Sequence, residues 1–368
     1  MDWRTRVFTA LEHREPDRIP IDFWASKGFV KKLESALGIT YDEFLDRNDV
    51  DFRYIAGPRY VGPPLVRADG APVDIWGVAR RPVEVELDDA SEIYSEVAAA
   101  PLAYASGVEE VLEYPHWPSP DWFDYGVVEK QCDEVLARGR VVVFMGDRLN
   151  RIAQLKPAMY VRGVEKILVD MAADPDVAHA IFSRIRWFYI TYLERILEAA
   201  KGKIDIVLTG DDFGSQMGPL ISPQMWDEFI RAGFAEYMML AKAHGARTMH
   251  HTCGSVADLI PRMADAGLEI LQSLQPEAAG MSARSLKKRF GARLSFQGGV
   301  SIQKTLPFGT PDDVRAEVAA LARDMGPGGG YIFCTSHNIQ ADTAVENVQA
   351  LMAAYHACGR YGKPSRAS

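Results

Sequence analysis

The sequence predicts an α/β protein folded as one (β/α)8 TIM barrel over residues 1–368, with a long insertion in an early βα connection. Two observations carry this. Short apolar runs alternate with segments of helical period, the pattern of parallel strands joined by crossover helices. Eight such runs are present, enough to close a sheet on itself: Ile19–Phe23, Val50–Ile55, Val141–Met145, Asp205–Thr209, Arg247–His251, Glu269–Leu274, Arg293–Gln297 and Tyr331–Cys334. A third observation sharpens the first two. Residues able to do chemistry cluster just after the runs, at the strand ends where a barrel gathers its catalytic groups.

The intervening helices are well marked. Asp174-Pro175 offers an N-cap and a first-turn proline, and Val177, Ile181, Ile185, Phe188, Tyr192 and Ile196 follow at helical spacing before Gly202. Ser222-Pro223 starts a second helix, with Trp226, Phe229, Ile230, Phe234 and Tyr237 on one face and Gly245 beyond its end. Thr310-Pro311 starts a third, whose Asp312 and Asp313 sit where the helix dipole favours negative charge. From about Gly57 to Tyr125 the rhythm fails, and Pro, Gly and Trp replace helical period. This stretch reads as an elaboration of the second βα connection, either over the barrel mouth or as a peripheral hairpin layer.

Composition excludes several functions. The formal charge is −9, and no basic face marks a nucleic-acid binder. No apolar run approaches the roughly 18 residues of a membrane span. The first residues, MDWRTRVFTALEHREPDR, are charged throughout and lack a signal peptide's apolar stretch, so the expected location is cytoplasmic. Four cysteines in 368 residues make no disulfide scaffold. Cys132 and Cys358 lie in helical stretches, whereas Cys253 and Cys334 fall at strand ends.

Read in order, those ends carry Asp22 and Trp24, Arg53 and Tyr54, Asp147 and Arg148, Asp211 and Asp212, His251 and Cys253, Gln275, Gln297, and Cys334 to His337. In the extended run Met249–Cys253, His251 and Cys253 are two residues apart and point the same way. Cys334, 81 positions later (334 − 253), ends the last strand, and a closed barrel turns late strand ends toward a common centre. One imidazole and two thiolates make a three-ligand zinc site with an open fourth position, which is the catalytic arrangement. His250 points the other way and reads as packed. Asp22, Trp24, Gln297 and His337 read as substrate-facing, and Asp211 and Asp212 as candidate catalytic carboxylates. The Asp211-Asp212-Phe213-Gly214 run is no kinase signature, because no H-R-D loop or V-A-I-K strand accompanies it.

These residues carry a resemblance. GDDFGSQMGPLISPQMWDEF, HHTCGSVADLIPRM, LKKRFGARLSFQGGVSIQ and GGGYIFCTSHNIQADTAVENVQAL, with ALEHREPDRIPID near the start, resemble the uroporphyrinogen decarboxylase superfamily. True decarboxylases of that family carry an arginine-bearing RQAGR segment after the first strand. Here the stretch reads IDFWASKGFVKKLE, without arginine. The other large branch, the methyltransferases of corrinoid systems, has a zinc pattern of His-x-Cys and a distant Cys, which His251, Cys253 and Cys334 match. The resemblance therefore implies a zinc-dependent methyltransferase acting between a small molecule (a methoxy, methylamine or thiol compound) and a corrinoid. No D-x-H-x-x-G cobalamin signature occurs, so the corrinoid is expected on a separate partner protein. The alternatives are a decarboxylase of uroporphyrinogen or another carboxylated substrate, and a barrel that only binds.

Overall fold

The computed structural model describes residues 1–67, 70–87, 91–145 and 151–362. Asp147 and Arg148 lie outside the described residues.

Seven parallel strands form one sheet in sequence order. They are β1 (Phe52–Ile55), β2 (Val141–Phe144), β3 (Ile206–Gly210), β4 (Arg247–His251), β5 (Ile270–Leu274), β6 (Ser295–Val300) and β7 (Tyr331–Thr335). Each matches an apolar run to within a few residues. The eighth run, Ile19–Phe23, forms no strand among the described residues. It makes a parallel bridge from Ile21 to Phe333 of β7, and its Ile21 carbonyl accepts from the Asp51 N–H just before β1. Pro20 has no N–H to give, which limits the ladder here.

The strands obey a period of two. Val142, Phe144 and Val207 face the helices, in the large outer core. Phe52, Val141, Val143, Ile206, Leu208, Met249, Ile270 and Ile332 turn the other way and form a separate inner cluster. Val7 and Leu11 of the first helix, Trp3–Leu11, join it from the N-terminal end of the strands. Continuing the alternation past this apolar plug puts Tyr54, Gly210, His251, Gln272, Gln297 and Cys334 on the same inner face, one layer higher. The sheet's curl brings that layer together.

The helix signals hold with local amendments. Helix Pro175–Ala200 has its first-turn proline, but Asp174 makes no side-chain cap bond, and Lys201 adopts the left-handed conformation before Gly202. Ser222 caps the next helical segment through Met225 N–H, and a π-helical stretch, Trp226–Ile230, follows. Thr310 and Asp313 form a reciprocal capping box.

The segment between β1 and helix Val128–Ala137 holds an antiparallel hairpin, Ala79–Glu86 with Ser91–Ala99, and a short pairing of Arg59–Tyr60 with Phe123–Asp124. Trp76 anchors the segment against Phe188 and Tyr189 of the long helix. The hairpin meets the rest of the molecule through Glu92, which accepts from Ser26 Oγ, and through Tyr94, which donates to Gln340 Oε1 at 2.7 Å. None of its described residues lines the cleft beside Cys253.

Candidate metal centre

His251 ends β4 and is 2 % exposed. Its Nδ1 donates to Gln272 Oε1 of the neighbouring strand at 2.8 Å, so the Nε2 lone pair faces the mouth. Cys253 Sγ lies 3.4 Å from that Nε2. Two ligands bonded at about 2.0 and 2.3 Å to one tetrahedral zinc stand about 3.5 Å apart, so this pair has the right separation. The ligand atoms of His251, Cys253 and His337 all lie within 4.8 Å of one another. Burial leaves these donors neutral: it pushes the Cys253 thiol up to about 12 and the His337 imidazole down, and holds His251 well below its usual range. Neutral imidazole is a ligand as it stands, and a thiol becomes one when a cation displaces its proton. The donor set therefore fits zinc.

The loop geometry depends on two glycines. Gly254 has φ +80, and a Cβ there would meet the Gly214 carbonyl oxygen at 2.4 Å. A Cβ on Gly214 would meet the Cys253 carbonyl oxygen at 2.7 Å. The two loops pack backbone to backbone, which fixes the Cys253 position. A cavity of about 380 Å³ opens beside it, reached by Gln275, Ser336 and His337.

Sequence reasoning paired Cys334 with His251 and Cys253 and gave His337 to the substrate. The structure groups the ligand atoms differently. His337, returned by the turn after β7, joins His251 and Cys253, while Cys334 Sγ lies outside that group. The Cys334 thiol is buried on the side of Asp22 and Gln297. Asp22 Oδ2 accepts from Tyr54 Oη and from Gln297 Nε2, each at 2.5 Å, and burial pushes its carboxyl up. Trp24 packs against both histidines, with ring centroids 5.7 Å from His251 and 5.4 Å from His337.

The two adjacent aspartates part company. The Asp211 carboxylate accepts three backbone N–H groups, from Gln154 (2.6 Å), Leu155 (3.0 Å) and Lys156 (2.7 Å), and so caps helix Leu155–Arg162. Burial pushes it up to about 6 against those bonds. Asp212 faces the mouth. It accepts from Lys156 Nζ at 2.5 Å and from Cys253 N–H at 3.1 Å, and Oδ1 is 3.7 Å from His251 Nε2. Burial opposes its charge, but Lys156 and the Cys253 N–H hold its carboxyl well below the ordinary range. Arg53 points outward to Asp46, and His250 stacks on Phe213 with Thr209 Oγ1 2.7 Å from its Nδ1.

Lys156, Gln272 and Arg151 were not singled out from sequence. Lys156 and Arg151 lie in the connection after β2, where nothing in their spacing sets them apart from other surface cations. Gln272 stands on the inner face of β5 in register with His251, a relation visible only after strands are paired.

A family model described as uroporphyrinogen decarboxylase (URO-D) matches residues 153–358, more than half of the chain. The chain belongs to the uroporphyrinogen decarboxylase family. Within it, a uroporphyrinogen decarboxylase from Anaeromyxobacter dehalogenans is 29% identical over 202 residues, covering 54% of this chain and 53% of that protein. The methylcobamide:CoM methyltransferase MtaA from Methanosarcina barkeri is 30% identical over 165 residues, covering 45% of this chain and 44% of its own. The chain spans about half the length of the curated relatives it matches. A solved methyltransferase from Methanosarcina mazei shares the fold, with TM-score 0.68 at 20% identity over 97% of this chain and 99% of that one. Among the described residues, no helix is long and apolar enough to cross a membrane.

Proposed function

We propose that this family member is a zinc-dependent methyltransferase that moves a methyl group between a small molecule and a corrinoid carried by a separate partner protein. The observation that carries the reading is the His251–Cys253 pair, 3.4 Å apart at a strand end beside an open cavity. We take Cys334, on the inner face of the last strand, as the third protein ligand, as the family resemblance implies. His337 then sits at the edge of the open position. A zinc ion bound there would supply Lewis acidity, making a thiolate of a thiol near neutral pH or polarising the leaving atom of a methyl ether or amine.

The chain's own residues do the rest. Gln272 fixes the His251 tautomer and ring plane. Asp212, held charged by Lys156, fixes the Cys253 backbone and offers the mouth a carboxylate. Trp24 walls the histidines from solvent on one side. Asp211 holds the Lys156 helix in place and acts through position. This reading takes the seven strands and the Ile19–Phe23 run as one closed barrel in a single domain, with the Gly57–Tyr125 excursion as its insertion, in a cytoplasmic protein.

The test is to incubate the zinc-loaded protein with cob(I)alamin or methylcobalamin and a panel of methyl donors and thiols, and to follow the cobalt absorbance. Methyl transfer that falls at least tenfold in Asp212→Asn is the expected result. Silence across the panel, with carbon dioxide released from uroporphyrinogen, would replace this reading with the decarboxylase one that the first relative's name suggests.

A further inference from the structure

We propose that the hairpin Ala79–Glu86 with Ser91–Ala99 is a strap across the seam between the Ile19–Phe23 segment and β7, and that Glu92 and Tyr94 are positioning residues that hold Trp24 and His337 against His251. The inference rests on the metal-centre reading only for what Trp24 and His337 serve. The strap itself is a matter of backbone and contact, and its test needs neither metal nor substrate.

Two parallel bridges join the seam, Ile21 with Phe333 and Ala25 with Ile339. At the lower one, Phe333 N–H donates to the Pro20 carbonyl at 2.8 Å and Asp22 N–H to the Phe333 carbonyl at 2.9 Å. At the upper one, Ile339 N–H donates to the Trp24 carbonyl at 3.1 Å and Ser26 N–H to the Ile339 carbonyl at 2.8 Å. Between the bridges lie residues 22–24 on one side and 334–338 on the other. This eye in the seam holds Asp22, Trp24, Cys334 and His337, so its shape sets how the last three stand around His251. The upper bridge closes the eye with two hydrogen bonds, and so short a join opens easily unless something outside holds it.

The hairpin supplies that hold. Glu92 and Tyr94 are two apart on one extended strand and share a face. Their contacts fall on Ser26 and Gln340, each one residue past the upper bridge, on opposite sides of the seam. Glu92 is 7 % exposed and is the only buried residue of either hairpin strand. Burying a carboxylate is costly, so a polar contact rather than packing accounts for its place. The Ser26 hydroxyl carries the contact inward: it donates to Glu92 and accepts Phe29 N–H at 3.1 Å as the cap of helix Lys27–Leu37. Glycine lets the hairpin approach this helix. A Cβ on Gly28 would collide with the Ser91 carbonyl oxygen and lie 2.7 Å from Glu92 Oε1. On the other side, Gln340 Nε2 donates to the Asn338 carbonyl at 3.2 Å, one residue from His337.

The test uses the full chain as purified, with zinc measured, and again after chelation. Amide hydrogen exchange is followed by mass spectrometry in peptides covering 22–29 and 334–341. Tyr94→Phe and Glu92→Leu should each speed exchange there about fivefold, the size of one lost hydrogen bond. Glu92→Gln keeps an acceptor for Ser26 and should restore most of the protection. Gly28→Ala improves the helix but pushes the hairpin off, and should loosen the seam without lowering overall stability. Ile93→Thr, on the opposite, exposed face of the same strand, should change nothing. Positioning is read from Trp24 emission, isolated among seven tryptophans by subtracting the Trp24→Phe version of each protein. It should shift to the red by several nanometres in Tyr94→Phe and Gly28→Ala as the indole gains water. Faster exchange confined to the hairpin, or Trp24 emission unmoved in both variants, would overturn the proposal. A wild type that holds no zinc but shows the expected exchange and emission would fail only the metal-centre reading.

Discussion

The two ends of the same sheet treat charge in opposite ways. At the N-terminal end every central carboxylate is saturated. Asp51 is fully buried and accepts from Arg6 Nη1 (2.8 Å), Arg18 Nη1 (2.8 Å) and Ile21 N–H (2.8 Å). Asp205 binds Arg4 and the Val142 N–H, and Glu269 binds Arg247 and the Thr248 N–H. At the C-terminal end charges and polar atoms are left short. Among the described residues Arg151 reaches no carboxylate and no cation bonds Asp22, and Cys253 and His337 line a cavity. Saturated pairs hold a fold together, and unsaturated ones wait for a ligand. In an α/β barrel the first belong to the stability face and the second to the catalytic face.

The largest effect should come from breaking the saturated end. Asp51→Ala leaves Arg6 and Arg18 buried without their shared counter-ion, and should cost roughly 3–5 kcal/mol in denaturant unfolding. Zinc content of whatever protein remains folded should be unchanged. If Asp51→Ala instead lost zinc while unfolding normally, the division between the two ends would fail.

The opposite pattern is expected at the other end. Cys253→Ala and Cys334→Ser should each lose most of the zinc, while urea midpoints measured on metal-free samples stay within about 1 kcal/mol of wild type, because the site is open rather than structural. His337→Ala should retain zinc. Metal analysis showing the reverse, zinc lost with His337 and kept without Cys334, would exchange the third ligand in favour of the grouping seen among the ligand atoms.

Asp211 sharpens the boundary, since it lies at the functional end but is saturated. Asp211→Asn should cost about 1–3 kcal/mol, because a single amide oxygen cannot accept all three N–H groups. The pH dependence carries a definite sign. The folded carboxyl is raised by burial from 3.8 to about 6, so the folded state binds the extra proton between those values. Wild-type stability from this group is then fullest below pH 4 and falls as pH rises through about 6. The advantage of wild type over Asp211→Asn should therefore shrink between pH 4 and pH 7, by up to about 3 kcal/mol for a shift of this size. An advantage independent of pH would show that the carboxylate stays ionised throughout.

How far the sequence reached depended on distance along the chain. Seven apolar runs became strands because burial on both faces needs little beyond β-branched and aromatic side chains, which are visible locally. The His251-x-Cys253 pairing was readable because two residues on one extended strand share a face by covalent geometry alone. The helix start at Thr310-Pro311 was readable in the same way.

Other features depended on tertiary structure. The Ile19–Phe23 run has a strand's composition, but its backbone hydrogen bonds are divided among Phe333, Asp51 and Gly359, and among the described residues it forms only an isolated bridge. Asp211 and Asp212 are chemically identical in sequence. The helix start at Leu155 takes one, and Lys156 holds the other at the mouth. His337 reaches the His251–Cys253 pair through the turn after β7, and Arg151 crosses the strand end because Gly210 has no side chain. Periodicity and covalent spacing fix which face a residue shows and which residues can share a strand. Which partner claims a charge, and which charge is left for a ligand, is settled by contacts between residues far apart in sequence.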